Sequence, residues 1–396
     1  MANYMDYLDW RGDLSFTADP FNEVDNYICS QFCMPEFGMI VPENGQRVTL
    51  ADTVESYGTL WGKRGDNLGV LSSPYVLPLL RRVVETERFA CTELSNYVNL
   101  FDEDKDEQFS ALCIHLPDGS TYIAYRGTDD TLTGWKEDFL MCVLDEVSAQ
   151  SDALDYLRSA AARVDGPLRL GGHSKGGNLA MFAAIYAEEE IQSRIIAVYN
   201  NDGPGFRADL TELEGFQRIR DRMVTILPQH SIVGTLLSPL GESIVVNSSR
   251  KAPESHDGFY WQVMGSRFVR CEELSRYSRA FDEAVDRTMA DMDGEERREF
   301  VESLFEALSS TGARTLTELT GQGVRRALEV LHEGRRSSAV QSFLGSVAEL
   351  TVRELADEVA EDVRERMPEL RRPLLRKKNG EEEQSEDEEP EDSAKG

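Results

Sequence analysis

The stretch LRLGGHSKGGNLAMFAA, Leu168–Ala184, decides the fold. A short apolar run enters Gly171-Gly172, passes His173-Ser174-Lys175, and leaves through Gly176-Gly177 into small and apolar residues suited to a helix. Glycines on both sides of one serine fit a sharp strand-to-helix turn, the geometry of a nucleophile elbow. There the residues two before and two after the serine must be small to avoid collision. The helix N-terminus behind such a turn favours negative charge on a bound oxygen. The string Gly172-x-Ser174-x-Gly176 carries little weight alone. A strand before it, a helix after it, and Gly177 and Ala180 allowing close helix packing strengthen it. The other reading is a glycine-rich turn that cradles a phosphate, although the chain has no G-x-x-x-x-G-K-[ST] pattern.

Outward from the serine, strands and helices alternate. FSALCIHLPDGSTYIAYRGT (109–128) reads as a strand, a Pro-Asp-Gly turn and a second strand over Thr121–Tyr125. Residues 149–164 read as a helix, Leu168–Gly171 as a strand and Asn178–Glu190 as a helix. Ile195–Tyr199 is a buried strand running into the loop NNDGPG, and Met223–Leu227 and Ser243–Asn247 are further strands. Upstream, helices are expected over Glu23–Phe32 and Tyr75–Thr86. The strands are apolar runs rather than strict alternations. They therefore predict an α/β fold with a mainly parallel sheet covered by helices on both faces. Past about residue 275 only charged helical sequence follows, with Phe343, Leu344, Val347, Leu350, Val352 and Leu355 near one helical stripe. The expected organisation is an α/β domain over 1–275, a helical extension over 276–375 that could meet a protein partner, and a tail over 376–396.

The chain has 396 residues and a formal net charge of −30, with 40% hydrophobic and 29% charged residues, which suits a globular protein. The tail EEEQSEDEEPEDSAKG (381–396) holds nine acids and one lysine, −8 of that −30, and is expected to be disordered. Arg371, Arg372, Arg376, Lys377 and Lys378 form a basic cluster just before it. Such a negative balance disfavours nucleic acid, whose phosphates need a basic face. No run approaches the roughly 20 apolar residues of a membrane span. MANYMDYLDWRGDL lacks the form of a secretory signal, so a cytoplasmic location is expected. The six cysteines are scattered, which argues against a disulfide framework. Cys29 and Cys33 suit one helix face, but no second Cys/His pair completes a metal site, and no metal or organic cofactor is implied.

A serine at such a turn needs a base. His115 falls in a strand, His173 adjoins the serine and points elsewhere, and His332 lies in the helical region. Of the remaining His230 and His256, His256 sits in APESHDGFYWQV, C-terminal to all the core strands, the order Ser…His of this fold class.

Four segments in order then resemble the class 3 (fungal-type) lipases and their bacterial relatives. These are Tyr125-Arg126-Gly127-Thr128, Trp135 with Asp138, the Ser174 turn, and His256 with Tyr260-Trp261, within roughly residues 55–265. The resemblance implies a lipase/esterase-like α/β-hydrolase that cleaves a carboxylic ester through an acyl intermediate on Ser174, with His256 as general base and then acid. It implies that the backbone N–H groups of Thr128 and Lys175 hold the oxyanion, that the elbow glycines Gly172 and Gly176 flank Ser174, and that Arg126 pairs with Asp138 beneath the site. Alternatively, Thr128 is an ordinary strand end. The family's aspartate position is occupied here by Ser231. Asp202 in NNDGPGF is then the candidate acid, or else it caps its own glycine turn, while Asp257 is poorly placed. The Lys175 side chain either favours an anionic group or points to solvent. The apolar Ile232–Leu240 either borders an acyl pocket or is a buried loop. Two other functions fit the same residues: a catalytically degraded hydrolase-fold binding protein, and an acyltransferase using the same serine.

Overall fold

The side chains of successive strand residues point to opposite faces, so a sheet buried on both sides needs apolar residues at every position. Thr121–Tyr125 (TYIAY) nearly meets that demand, aromatic or aliphatic after Thr121 and buried at all five positions. In this computed structural model the described residues are 2–62, 68, 73–102, 107–128, 131–141, 143–237, 239–290, 292–309 and 312. All of them belong to the unit Met1–Leu344. The second unit, Gly345–Gly396, lies outside the described residues, as do the helical extension beyond 312 and the tail over 376–396.

Among the described residues, eight strands form one sheet: β1 (Val48–Thr49), β2 (Glu93–Asp102), β3 (Glu107–His115), β4 (Thr121–Tyr125), β5 (Leu168–His173), β6 (Ile195–Asn201), β7 (Met223–Pro228) and β8 (Glu242–Val246). Their spatial order is their chain order. β1 to β4 pair antiparallel, and β4 to β8 pair parallel. A small ribbon pairs β9 (Val263–Met264) with β10 (Arg267–Phe268). The helices are α1 (Tyr4–Arg11), α2 (Glu23–Ser30), α3 (Leu50–Trp61), α4 (Val76–Val83), α5 (Leu132–Met141), α6 (Ser148–Ala161), α7 (Lys175–Tyr186), α8 (Glu189–Arg194), α9 (Glu214–Ile219), α10 (Arg276–Ala290) and α11 (Gly294–Ser309). This is an α/β-hydrolase-like arrangement, a mostly parallel sheet between helical layers.

Sequential strand order has a consequence for the layers. Each parallel crossover steps the same way along the sheet, and crossovers are right-handed, so their helices fall on one face. Residues of α6, α7 and α9 accordingly pack with Ala111, Cys113, Ile123 and Tyr125 in one core. The opposite face, bearing Leu112, Ile114, Tyr122 and Ala124, is covered instead by α1, α2, α4 and the Trp261–Phe268 segment. Helices α1, α2 and α4 of the N-terminal segment therefore form the second wall of the sheet. β2 was not legible in the sequence, because Asn96 adopts φ 55° and the pairing register shifts between Ser95 and Val98. That irregularity breaks the strand's period-2 pattern.

The N-terminal wall is held by a buried ion pair. Arg88 contacts Asp25 of α2 through Nε at 2.7 Å and Nη2 at 2.5 Å, with both side chains fully buried. Its Nη1 donates to the carbonyls of Leu14 and Asp19, each at 2.9 Å. The Tyr7 hydroxyl supplies a further bond to Asp25 at 2.8 Å. Removing one member leaves the other charge desolvated and unpaired, which typically costs about 3–5 kcal/mol. Arg88→Met is accordingly expected to lower the unfolding free energy by that amount in urea titration, whereas the exposed Arg158→Met should change it by less than about 1 kcal/mol.

Candidate active site

The turn after β5 gives Ser174 φ 57° and ψ −133°, a backbone state that strains any residue with a side chain. Ser174 N–H donates to the Asn201 carbonyl at 2.9 Å, and its carbonyl accepts Gly177 N–H at 2.9 Å, so the strain is fixed from both sides. The glycines are steric necessities. A Cβ on Gly172 would lie 2.5 Å from the Tyr125 carbonyl oxygen, and one on Gly176 would strike that same oxygen. A Cβ on Gly127 would come 3.3 Å from the Ser174 Cβ, which shows how closely the segment after β4 abuts the turn. The serine itself stays partly exposed.

His256 ends a short 3-10 turn, Glu254–His256. Its Nδ1 is 2.7 Å from Asp202 Oδ2, with the carboxylate fully buried and the imidazole 19% exposed. Two further donors reach Asp202 Oδ1: the Ser231 hydroxyl at 2.5 Å and Gly234 N–H at 3.2 Å. Ser231, at the position where the resemblance places an aspartate, thus donates to the carboxylate that follows β6. Asp202 is itself strained, at φ 53°. Burial pushes its carboxyl above the ordinary range, opposed by the bonds from His256, Ser231 and Gly234. Asp257, by contrast, caps its own turn by accepting Phe259 N–H at 2.9 Å.

The His256 loop is tied to the N-terminal wall and to the turn. The Ser255 hydroxyl donates to the His230 carbonyl at 2.9 Å, and Trp261 Nε1 donates to the Ser255 carbonyl at 2.8 Å. Gly258 N–H donates to the Tyr27 hydroxyl at 2.9 Å. His173, the residue before Ser174, reaches the His256 carbonyl through Nε2 at 2.8 Å, and the two imidazoles lie 4.4 Å apart, centre to centre. Burial pushes the His173 pKa far down, so its ring is neutral and donates that bond. His256 and Ser174 are therefore carried by adjoining parts of one scaffold. Among the described residues, no hydrogen bond joins the Ser174 hydroxyl to the His256 imidazole, whose Nδ1 is taken by Asp202.

Thr128 is buried, two residues past the last backbone bond of its strand, Arg126 N–H to the Ser110 carbonyl at 2.9 Å. Its hydroxyl donates to Asp138 Oδ2 on α5 at 2.5 Å. As the first residue of α7, Lys175 has a backbone N–H with no intrahelical acceptor. Two expectations are corrected. Lys175 faces neither solvent nor an open site: its side chain is fully buried, with Nζ 2.8 Å from Glu137 Oε2. Arg126 and Asp138 take different partners, Arg126 donating to Asn99 Oδ1 at 2.8 Å while Asp138 accepts from Thr128. Sequence reasoning missed Glu137, Gln108 and the bond from His173 to the His256 carbonyl. None of these residues carries a spacing signal, because each acts across elements far apart in the chain.

Over residues 83–306 the chain matches the Mbeg1-like family, and it belongs to that family, which is lipase-like. No curated protein matches it. Solved structures that match include the crystal structure of M37 lipase, at 19% identity and a TM-score of 0.33, covering 47% of this chain and 68% of that one. No helix among the described residues is long and apolar enough to cross a membrane.

Burial pushes the Asp138 carboxyl up to about 6, against the lowering effects of Lys175 and the Thr128 hydroxyl. In an unfolded chain the group titrates near about 3.9. A carboxyl raised on folding favours the native state at low pH, and that contribution is lost as pH rises through the folded value. Between pH 4 and 7, wild-type stability should therefore fall relative to Asp138→Asn, with the gap between the two urea-unfolding curves levelling once pH passes about 7.

Proposed function

We propose that the protein is a serine hydrolase that cleaves carboxylic esters through an acyl-enzyme on Ser174. The observation that carries this reading is the Asp202–His256 bond of 2.7 Å beside the strained turn at Ser174. A buried carboxylate on Nδ1 fixes the imidazole tautomer, so Nε2 is the nitrogen left to take the serine proton. His256 then acts as general base during attack and as general acid toward the departing alcohol. In the second half it activates water, and Ser174 recovers its proton as the acid product leaves. The tetrahedral oxyanion would be met by the backbone N–H groups of Thr128 and Lys175, from the strand end and the helix start that flank the serine.

An orienting acid in the form of Asp202 speaks against a catalytically degraded scaffold. The family's lipase-like character and the motifs that resemble class 3 lipases support an ester substrate. So does the loop bonded to Asp202, where Ile232, Val233, Leu236 and Leu237 remain only half-buried and offer an apolar wall to an acyl chain.

The test is turnover of p-nitrophenyl butyrate. Ser174→Ala should abolish it with little change in Tm. Asp202→Asn should lower kcat by about 10³–10⁴, the loss expected when the tautomer is no longer fixed. Turnover retained in the folded Ser174→Ala variant would remove the serine from the mechanism.

A further inference from the structure

Lys175 is an uneconomical residue for its position. A cation at a helix N-terminus opposes the macrodipole, and a buried ion pair gains little stability over an apolar pair of similar size. Yet Nζ is saturated, donating to the Gln108 carbonyl at 2.7 Å, to Gln108 Oε1 at 3.1 Å and to Glu137 Oε2 at 2.8 Å. Glu137 is pinned in turn, its Oε2 accepting Gln108 N–H and its Oε1 accepting Ala149 N–H, both at 3.2 Å. One lysine therefore ties the start of α7 to β3, α5 and α6. Both Lys175 and Glu137 side chains are out of solvent, at 0% and 2% exposure, and the pair is neutral, so the cation is not placed to attract an anionic substrate.

The next two residues explain why such a tie is needed. Gly176 and Gly177 must lack side chains, the first against the Tyr125 carbonyl and the second against Asn200. Among the first three residues of α7, only Lys175 has a side chain with which to fix the turn's orientation. Glycine also weakens a helix by up to about 1 kcal/mol relative to alanine. Resting on the reading of Ser174 as nucleophile, we propose that the buried Lys175–Glu137 pair, seated on Gln108, is a positioning device that aims the Lys175 backbone N–H at the oxyanion. Lys175 thus acts twice, through its amide on the reacting atoms and through its side chain on the amide's direction.

The experiment compares wild type, Lys175→Met and the neutral double variant Lys175→Met/Glu137→Gln for Tm, kcat and KM on p-nitrophenyl butyrate. Loss of an oxyanion donor lowers kcat by about 10²–10³, so a misaimed donor should lower it by about 10–10². KM should stay within about twofold. Lys175→Met leaves a buried carboxylate unpaired and should also lose Tm. The double variant removes both charges and should regain most of the Tm while kcat stays low. That separation is the signature of positioning, which a purely structural pair would not produce. A double variant that regains kcat together with Tm, or any folded variant with wild-type kcat, overturns the proposal and leaves Ser174 untouched. A wild type whose turnover is indifferent to Ser174→Ala overturns the nucleophile reading and this proposal with it.

Discussion

The strained backbone at Ser174 is the constraint on which the surrounding structure depends. A side-chain-bearing residue at φ 57° and ψ −133° is held there only if its surroundings leave no alternative, at a cost of order 1–3 kcal/mol. Here the turn is bonded to Asn201 on the neighbouring strand, closed by Gly177 N–H, and pressed by the segment after β4 at Gly127. The glycines exist because the Tyr125 and Asn200 atoms come too close for anything larger. The strain leaves Ser174 partly exposed between the end of β5 and the N-terminus of the buried helix α7.

Strand order then decides what supports the His256 loop. With the crossover helices confined to one face, the N-terminal segment must wall the other, and that wall reaches the site directly. Asn26 of α2 donates to Asn201 Oδ1 at 2.8 Å and accepts the Tyr122 hydroxyl at 2.8 Å, while Tyr27 carries Gly258 two residues past His256. Arg88 and Asp25 anchor the same helix. The His256 loop follows all the core strands in the chain yet rests on the chain's first helices. At the far end of the described residues, α11 lies against α5 through Phe305 on Phe139, ring centres 5.5 Å apart, and α5 is the helix that bears Glu137 and Asp138.

Much of this was legible in the sequence, for identifiable reasons. β3 to β8 are apolar runs bounded by turn residues, and the glycines around Ser174 announce a steric demand that few other turns make. Asp202 could be singled out from its place after β6, but whether its carboxylate bonds its own glycine turn or distant groups is set by packing, which brings it His256, Ser231 and Gly234. The substitution at Ser231 looked like a loss. In three dimensions it is a hydroxyl donor to Asp202 Oδ1, on the carboxylate that follows the adjoining strand. Lys175 was opaque for a different reason. A lone lysine gives no periodic signal, and its acceptors at positions 108 and 137 lie on other elements. Local patterns reveal local sterics. Which distant polar groups converge is set by packing.

The central claim is that Ser174 is an activated nucleophile, and a fluorophosphonate tests it most directly, since only a serine whose proton is taken by a base reacts readily with that phosphorus. Incubation of the folded protein followed by peptide mass spectrometry should find a single phosphonyl adduct on the peptide containing Ser174, formed far more slowly in Asp202→Asn. Folded protein that stays unmodified, or carries its adduct on another residue, would contradict the account.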